Sequence, residues 1–274
     1  MTVSLAISPC PNDTFVFHAW IHQLVAAAPP VDLTFADIDD ANRVAMAGTH
    51  DVVKVSYAAL PYLLHDNALL PAGGAVGRGC GPLIVTAQAA GPHTLDGARI
   101  AVPGEQTTAY LLFRLWVAEH VDGDAKIDVL PFDRIMPAVR DGEYDAGLVI
   151  HESRFTYPAY GLHLLADLGE WWEQATGLEI PLGAIVARRA LDVELLTDVI
   201  RRSVQHAWDD PAASRDFVRA HAQELDEEVT AAHIALYVNE RTLDLGDEGY
   251  AAAEALLGKA AERGIIPTLP RRLR

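Results

Sequence analysis

The chain has 274 residues, 50% of them hydrophobic and 22% charged, with 21 basic against 38 acidic side chains and a formal net charge of -17. That balance is the composition of a folded globular protein and excludes a long disordered segment. No apolar run reaches the roughly 18–20 residues needed to cross a bilayer, so no membrane insertion is expected.

The acidic excess also argues against nucleic acid, because a phosphate backbone is bound through clustered Lys and Arg. Here the densest basic pairs, Arg188-Arg189, Arg201-Arg202 and Arg271-Arg272, read as solvated surface. An acidic protein that binds an acid must do so locally, with helix N-termini and a few placed donors. Cys10 and Cys80 make neither a disulfide framework nor a CxxC metal spacing, which suits a reducing compartment. The N-terminus has no basic n-region and too short an apolar stretch for a signal peptide, so a cytoplasmic location is expected. The length suits one large domain or two of roughly 100–150 residues each.

In chain order, Val3–Ile7 reads as a short buried strand ended by Ser8-Pro9-Cys10-Pro11. Asn12 or Asp13 is then placed to cap a helix through Phe15, Phe17, Ala19, Trp20 and Leu24. Val31–Phe35 is a second strand, Asp40-Ala41-Asn42 opens a helix that stops at Gly48, and 51–56 is a third strand. The run from Gly73 to Gly81 is glycine-dense but is neither a P-loop nor a dinucleotide fingerprint. It reads as a tight loop that lets backbone approach a ligand or a hinge.

Residues 81–86 read as a connector to a second lobe that starts near Leu95. There 98–102 is a strand, 103–106 a loop, and Thr107-Thr108-Ala109 the start of a helix through Tyr110, Leu111, Leu112, Leu115 and Trp116. A strand at 127–130, a helix capped by Asp133 and running to Arg140, and the apolar run 146–150 follow. Residues 181–187 read as a connector leading back. From about Asp192 the chain is helical, with Val193, Leu196, Val199, Ile200 and Val204 at helical spacing as a core stripe.

Strands alternating with helices predict α/β architecture with a parallel-type sheet. Gly48 and Gly142 each end a helix three residues before an Asp that leads into an apolar strand, which suggests two lobes of like architecture. The expected division puts 1–86 and 188–274 in lobe I and 87–187 in lobe II, with connecting strands near 82–87 and 181–188.

The most informative residue is His151, where the apolar run breaks into His151-Glu152-Ser153-Arg154-Phe155-Thr156-Tyr157. In open α/β sheets ligands bind outside the carboxyl ends of the strands, and His titrates nearest neutrality. Its two readings are a general base or acid, and a hydrogen-bonded structural histidine.

Three junctions have the same character: Ser8-Pro9-Cys10-Pro11-Asn12-Asp13-Thr14-Phe15, Lys54-Val55-Ser56, and Thr107-Thr108-Ala109. The first and third place helix N-termini, with unsatisfied N–H groups and a positive dipole end, beside Ser and Thr hydroxyls. That suits a carboxylate or a polyhydroxylated ligand. Each has a plainer reading too: Thr107 or Thr108 as an N-cap, Lys54 snorkelling to solvent, Asn12-Asp13 as a cap. Their coincidence, more than any single residue, points to a site. No metal is expected, since His18 and His22 are spaced i, i+4 without an HExxH and His151-Glu152 is adjacent rather than helically spaced. Trp171-Trp172 either walls a ring-binding pocket or packs in a core.

Together with Lys54-Val55-Ser56-Tyr57, Gly79-Cys80-Gly81-Pro82-Leu83 and Gly169-Glu170-Trp171-Trp172, these stretches resemble the motifs of the 1,4-dihydroxy-6-naphthoate synthase family over nearly the whole chain. The resemblance implies the branch of menaquinone biosynthesis that runs through futalosine. Its small-molecule substrate would be cyclic dehypoxanthinyl futalosine and its product 1,4-dihydroxy-6-naphthoate, with a sugar-derived fragment released by a lyase that needs no cofactor.

The resemblance also implies a two-lobed α/β fold of the periplasmic-binding-protein type (type II), with the ligand cleft between the lobes. Residue by residue, His151 falls on the family's proposed proton acceptor, Lys54, Val55 and Ser56 on its first substrate-contacting segment, and Thr108 and Ala109 on its second. Asn12, Thr107 and Arg154 complete the expected binding set. Two alternatives share the fold: a non-catalytic receptor for a small acid, and the related chorismate dehydratase.

Overall fold

The computed structural model describes residues 2–222 and 226–274. The first half of the chain lays down β1 (Val3–Ile7), α1 (Pro11–Ile21), β2 (Val31–Phe35), α2 (Ile38–Met46), β3 (Val52–Ser56), α3 (Leu60–Leu63) and β4 (Asn67–Gly77). Then follow β5 (Leu83–Thr86), β6 (Arg99–Val102), α4 (Thr108–His120), β7 (Lys126–Val129), α5 (Phe132–Arg140), β8 (Ala146–Val149), α6 (Ser153–Thr156), β9 (His163–Asp167), α7 (Leu168–Thr176) and β10 (Ile180–Arg188). The chain closes with helices α8 (Val193–Asp209), α9 (Arg215–His221), α10 (Glu227–Tyr237), α11 (Glu240–Leu243) and α12 (Gly246–Glu262).

The strands make two five-stranded sheets, ordered β2-β1-β3-β10-β4 and β7-β6-β8-β5-β9. The result is a two-lobed α/β fold of the periplasmic-binding-protein kind. In each sheet the first three strands are parallel, as β-helix-β crossovers require. The sheets are mixed rather than purely parallel, because β10 runs antiparallel to β3 and β4, and β5 antiparallel to β8 and β9. Each sheet thus receives strands that arrive from the other lobe and enter in the opposite direction.

The chain crosses between sheets at 78–82 and returns at 177–179. The strands expected as connectors are therefore sheet members, β5 in the second sheet and β10 in the first.

Local sequence explains most elements. β1 is buried along nearly its whole length, whereas β2, at the sheet edge, alternates with Asp32 and Thr34 outward. Leu196, Val199, Ile200 and Val204 of α8 are buried in the core beneath the first sheet with Phe17 and Trp20 of α1. α1 begins at Pro11 with Cys10 as its N-cap, so Asn12 and Asp13 lie in the first turn instead of capping it. Proline is favoured at the first helical position because its missing N–H is not needed there.

Only the end of the glycine-dense run, with Gly79 and Gly81, is loop, at the crossing between the lobes. Gly73, Gly74 and Gly77 belong to the long strand β4, in which residues 71–74 bulge between Leu70, paired with Ile185, and Ala75, paired with Gly183. Gly73 has a φ of 79°, and a Cβ there would lie 2.9 Å from a methyl of Ile200, so glycine meets a bulge and a close approach together. Trp172 is buried in the larger core and donates from Nε1 to the carbonyl of Glu179, so this tryptophan pair packs. No helix among the described residues is long and apolar enough to cross a membrane.

Candidate functional site

β1 and β3 of one lobe and β8 of the other end where the two lobes meet. Two adjoining cavities open there, of about 70 and 220 Å³, and His151, Ser8, Ile38 and Ile150 border both. His151 lies two residues past the end of β8 and has a φ of 53°, a left-handed conformation that is uncommon for a residue with a Cβ and clusters at functional sites. Its ring meets Phe132 edge-on, with centroids 5.5 Å apart, and lies 6.2 Å from the ring of His233.

Part of the imidazole surface faces the cavities, but protein surrounds it. Burial pushes its pKa down to about 4, with Asp13 raising it and Lys54 lowering it. At neutral pH the ring is uncharged and able to accept a proton.

The smaller cavity brings together His151, Asn12, Lys54, Thr107, Thr108 and Ala109 of the expected set. Lys54 does not snorkel outward. Its ammonium donates to Asp13 Oδ1 at 2.6 Å and to the carbonyl of Gly73 at 3.2 Å, and the pair is almost wholly enclosed. Lys54 has room because Gly183 lies diagonally across on β10, where a Cβ would sit 2.7 Å from Lys54 Cε.

Thr107 caps α4: its hydroxyl accepts from the Tyr110 amide and donates to the Gly104 carbonyl. First-turn amides have no intrahelical partner, and Thr108 and Ala109, which line the cavity, form the positive end of a 13-residue helix. The Thr108 hydroxyl donates to the Leu182 carbonyl and accepts from the Ala58 amide, tying the second lobe to the first.

Three expected residues stand elsewhere. Val55 is fully buried in the larger core, its side chain packed among apolar neighbours. Ser56 is buried behind the cavity, where its amide donates to Asn42 Oδ1 at 2.8 Å and its hydroxyl accepts from Asn42 Nδ2 at 3.2 Å. Arg154 does not line either cavity. The short helix α6 turns its guanidinium toward the lobe crossing, where it donates to the Gly81 carbonyl and pairs with Asp167.

The larger cavity is acidic on one side, with Asp37, Asp39 and Asp40 beside Arg43, and is closed on the other by Pro131 and Phe132. Burial, with Asp40 and Asp133 nearby, raises the pKa of Asp37.

A protein family described as "Menaquinone biosynthesis" matches residues 3–262. A 1,4-dihydroxy-6-naphthoate synthase of Streptomyces coelicolor is 60% identical over 98% of this chain and 96% of that protein. The enzyme of the same name from Thermus thermophilus is 46% identical over 98% of this chain and 97% of that protein. The chain belongs to the 1,4-dihydroxy-6-naphthoate synthase family. Among solved structures, a protein from Archaeoglobus fulgidus superposes with a TM-score of 0.89 at 35% identity, covering 97% of this chain and 98% of that one. The alkanesulfonate-binding protein of Xanthomonas axonopodis shares the fold at a TM-score of 0.73 and 15% identity, covering 99% and 95%.

Around the candidate site of this family member the structure adds residues that sequence reasoning did not single out as site residues. Asn42 fastens Ser56 to the carbonyl of Gln106 across the lobes. His233 of α10 is completely buried and bonds Asn12 Oδ1 through Nε2 at 2.9 Å, while its Nδ1 lies 3.9 Å from Glu152. Burial, with His151 and Lys54 nearby, holds its pKa well below the usual value. Tyr237, one turn further along α10, lines the smaller cavity and donates to the Cys80 carbonyl. α10 itself has no amphipathic pattern to announce this face, so only the fold reveals it. Cys10 Sγ approaches His151 Nδ1 at 3.4 Å.

Proposed function

We propose that this chain is a lyase that converts cyclic dehypoxanthinyl futalosine to 1,4-dihydroxy-6-naphthoate in menaquinone biosynthesis, releasing the sugar-derived fragment, with His151 as general base. The observation that carries this reading is a neutral imidazole at the end of β8, bordering two cavities at the meeting of the lobes. His151 removes an acidic proton from the bound bicyclic substrate, the sugar fragment is expelled, and aromatisation drives the step. A positioned base contributes about 10²–10⁴-fold when its pKa lies near the operating pH, and in the ligand-free protein burial holds that of His151 lower, at about 4.

The amides of Thr108 and Ala109 receive the substrate carboxylate at the N-terminus of α4, with Lys54, Asn12 and Thr107 shaping the same wall. The acidic, hydrogen-bonding compartment beyond His151 suits the polyhydroxylated half of the substrate. A cytoplasmic setting accords with two free cysteines.

The deciding assay incubates the purified protein with cyclic dehypoxanthinyl futalosine and, separately, with chorismate, and identifies products by mass. Naphthoate from the first supports the reading. Turnover of chorismate alone makes the chain a dehydratase, and binding without turnover makes it a receptor. His151→Asn is expected to bind substrate normally and to lose at least about 100-fold in kcat, and near-normal turnover removes His151 from the base role.

A further inference from the structure

The fold sets side by side four metal-ligating side chains that no sequence spacing connects. Cys10 Sγ, at the start of α1, lies 3.4 Å from His151 Nδ1, and one ligand atom from each of Cys10, His151 and Glu152 stands within 4.8 Å of the other two. Cys10 and Glu152 are buried, and Cys10 and His151 border the larger cavity of about 220 Å³. The fourth side chain, His233, is completely enclosed, with Nδ1 3.9 Å from Glu152 Oε2.

His233 points to a cation here. Asn12 Nδ2 donates to Asp13 Oδ1 at 2.9 Å, which fixes the Asn12 amide with its Oδ1 towards His233. An amide oxygen only accepts, so His233 Nε2 donates to it and Nδ1 of the buried, neutral ring holds a lone pair. That nitrogen makes no hydrogen bond among the described residues and faces the Glu152 carboxylate. A buried polar atom without a hydrogen bond is uncommon, and a lone pair beside a carboxylate is an environment that attracts a positive ion. The Lys54 ammonium is already spent on Asp13 and the Gly73 carbonyl.

The donor set selects the ion. Sulfur, imidazole nitrogen and carboxylate oxygen together suit zinc, whereas magnesium and calcium take oxygen ligands. Tetrahedral zinc holds sulfur at about 2.3 Å and imidazole nitrogen at about 2.0–2.1 Å, which sets the two about 3.5 Å apart. Cys10 and His151 already stand at that separation, and a shift of about 1–1.5 Å in the Glu152 side chain completes the triangle. The cavity supplies water for the fourth position.

We propose that Cys10, His151 and Glu152 form a binding site for Zn²⁺, with the His233 lone pair beside it, and that the ion inhibits the enzyme. The thiol binds as thiolate, and its proton passes to solvent. The site stands on the geometry, and the inhibition rests on the reading of His151 as the base. A neutral imidazole has one basic nitrogen, so an ion on either nitrogen leaves the ring proton on the other and no lone pair for the substrate proton.

Co²⁺ reports the site in reduced protein freed of metal with a chelator. Stoichiometric Co²⁺ is expected to give a near-ultraviolet sulfur-to-cobalt charge-transfer band and the intense visible bands of a four-coordinate ion, all displaced by Zn²⁺. Cys10→Ser is expected to abolish the charge-transfer band and Cys80→Ser to keep it. Glu152→Gln is expected to weaken affinity by at least about 10–100-fold, the cost of losing even an outer-shell partner. In turnover, Zn²⁺ is expected to inhibit reversibly, with an inhibition constant raised by the same factor in Glu152→Gln relative to the metal-free rate of that variant. Absence of the sulfur band, its survival in Cys10→Ser, or unchanged affinity in Glu152→Gln overturns the site, and Zn²⁺ bound with turnover unchanged overturns the inhibition. Near-normal turnover in His151→Asn removes the base role alone, and the cobalt spectrum still decides the site.

Discussion

Lys54→Met isolates the ion pair buried at the cavity. The side chains of Lys54 and Asp13 keep only 5% and 2% of their surface, with Nζ 2.6 Å from Oδ1. Methionine preserves most of the apolar stem and removes the charge, stranding the Asp13 carboxylate with donors from the Ser8 amide, the Ser8 hydroxyl and Asn12. Breaking a buried pair from one side costs about 3–5 kcal/mol. With an unfolding entropy near 2.1 cal/mol/K per residue, a chain of 274 residues has about 0.6 kcal/mol/K, so Tm is expected to fall by roughly 5–9 °C.

Adding Asp13→Asn removes the stranded charge and is expected to restore much of the loss, giving a coupling of about 2–3 kcal/mol in a double-mutant cycle. The same substitution acts on His151, because the Lys54 charge helps to hold that pKa down. Its removal moves the acid limb of the kcat profile to higher pH. Thermal and urea unfolding of the two single variants and the double variant measure the cycle. A Lys54→Met protein within about 1 kcal/mol of the parent, with no recovery in the double variant, refutes the argument that the pair is held by burial.

Burial holds His151 and His18 down to about 4, and His233 well below its usual value. Their unfolded pKa is near 6.5, so the unfolded chain binds more protons below that pH; stability is full above about pH 6.5 and is lost as pH falls towards 4. Urea midpoints across that window check this, and a flat profile contradicts it. Gly183→Ala places a methyl 2.7 Å from Lys54 Cε and is expected to cost about 1–3 kcal/mol by overpacking; an unchanged urea midpoint means that Lys54 swings aside freely. Arg154→Ala removes the bonds to Gly81 and Asp167 and is expected to lower Tm while leaving KM unchanged. A raised KM with unchanged Tm restores the substrate contact expected from sequence.

What the sequence made legible was local. An apolar strand broken by His151, the stripe of α8 and the Thr-rich start of α4 are patterns over a few residues, and each has its counterpart in the fold. The first part of the glycine run, 73–77, misleads because composition describes a loop and a tightly packed bulged strand equally well; packing of Gly73 against Ile200 and Phe17 decides between them. Arg154 is aimed by a single turn of helix, and half a turn more or less, about two residues, would reverse its direction. The partners of the site are 141 positions apart for Cys10 and His151 and 221 for Asn12 and His233. No periodicity carries information over such separations, so these contacts follow only from the tertiary fold, the meeting of the lobes in one case and the packing of α10 on α1 in the other.

The fold also answers the question raised by the net charge. A chain of charge -17 repels an acid at long range, and the Lys54 ammonium in the smaller cavity is already matched by Asp13. A substrate carboxylate entering there meets no surplus cation. On the proposed function it would meet the backbone amides at the head of α4, whose partial charge is fixed by the helix and costs no reorganisation on binding. Using amides in place of a free lysine or arginine brings no second full positive charge to the cavity, where it would depress the basicity of the imidazole further. On the proposed function, the site would admit an anion while leaving His151 able to take a proton.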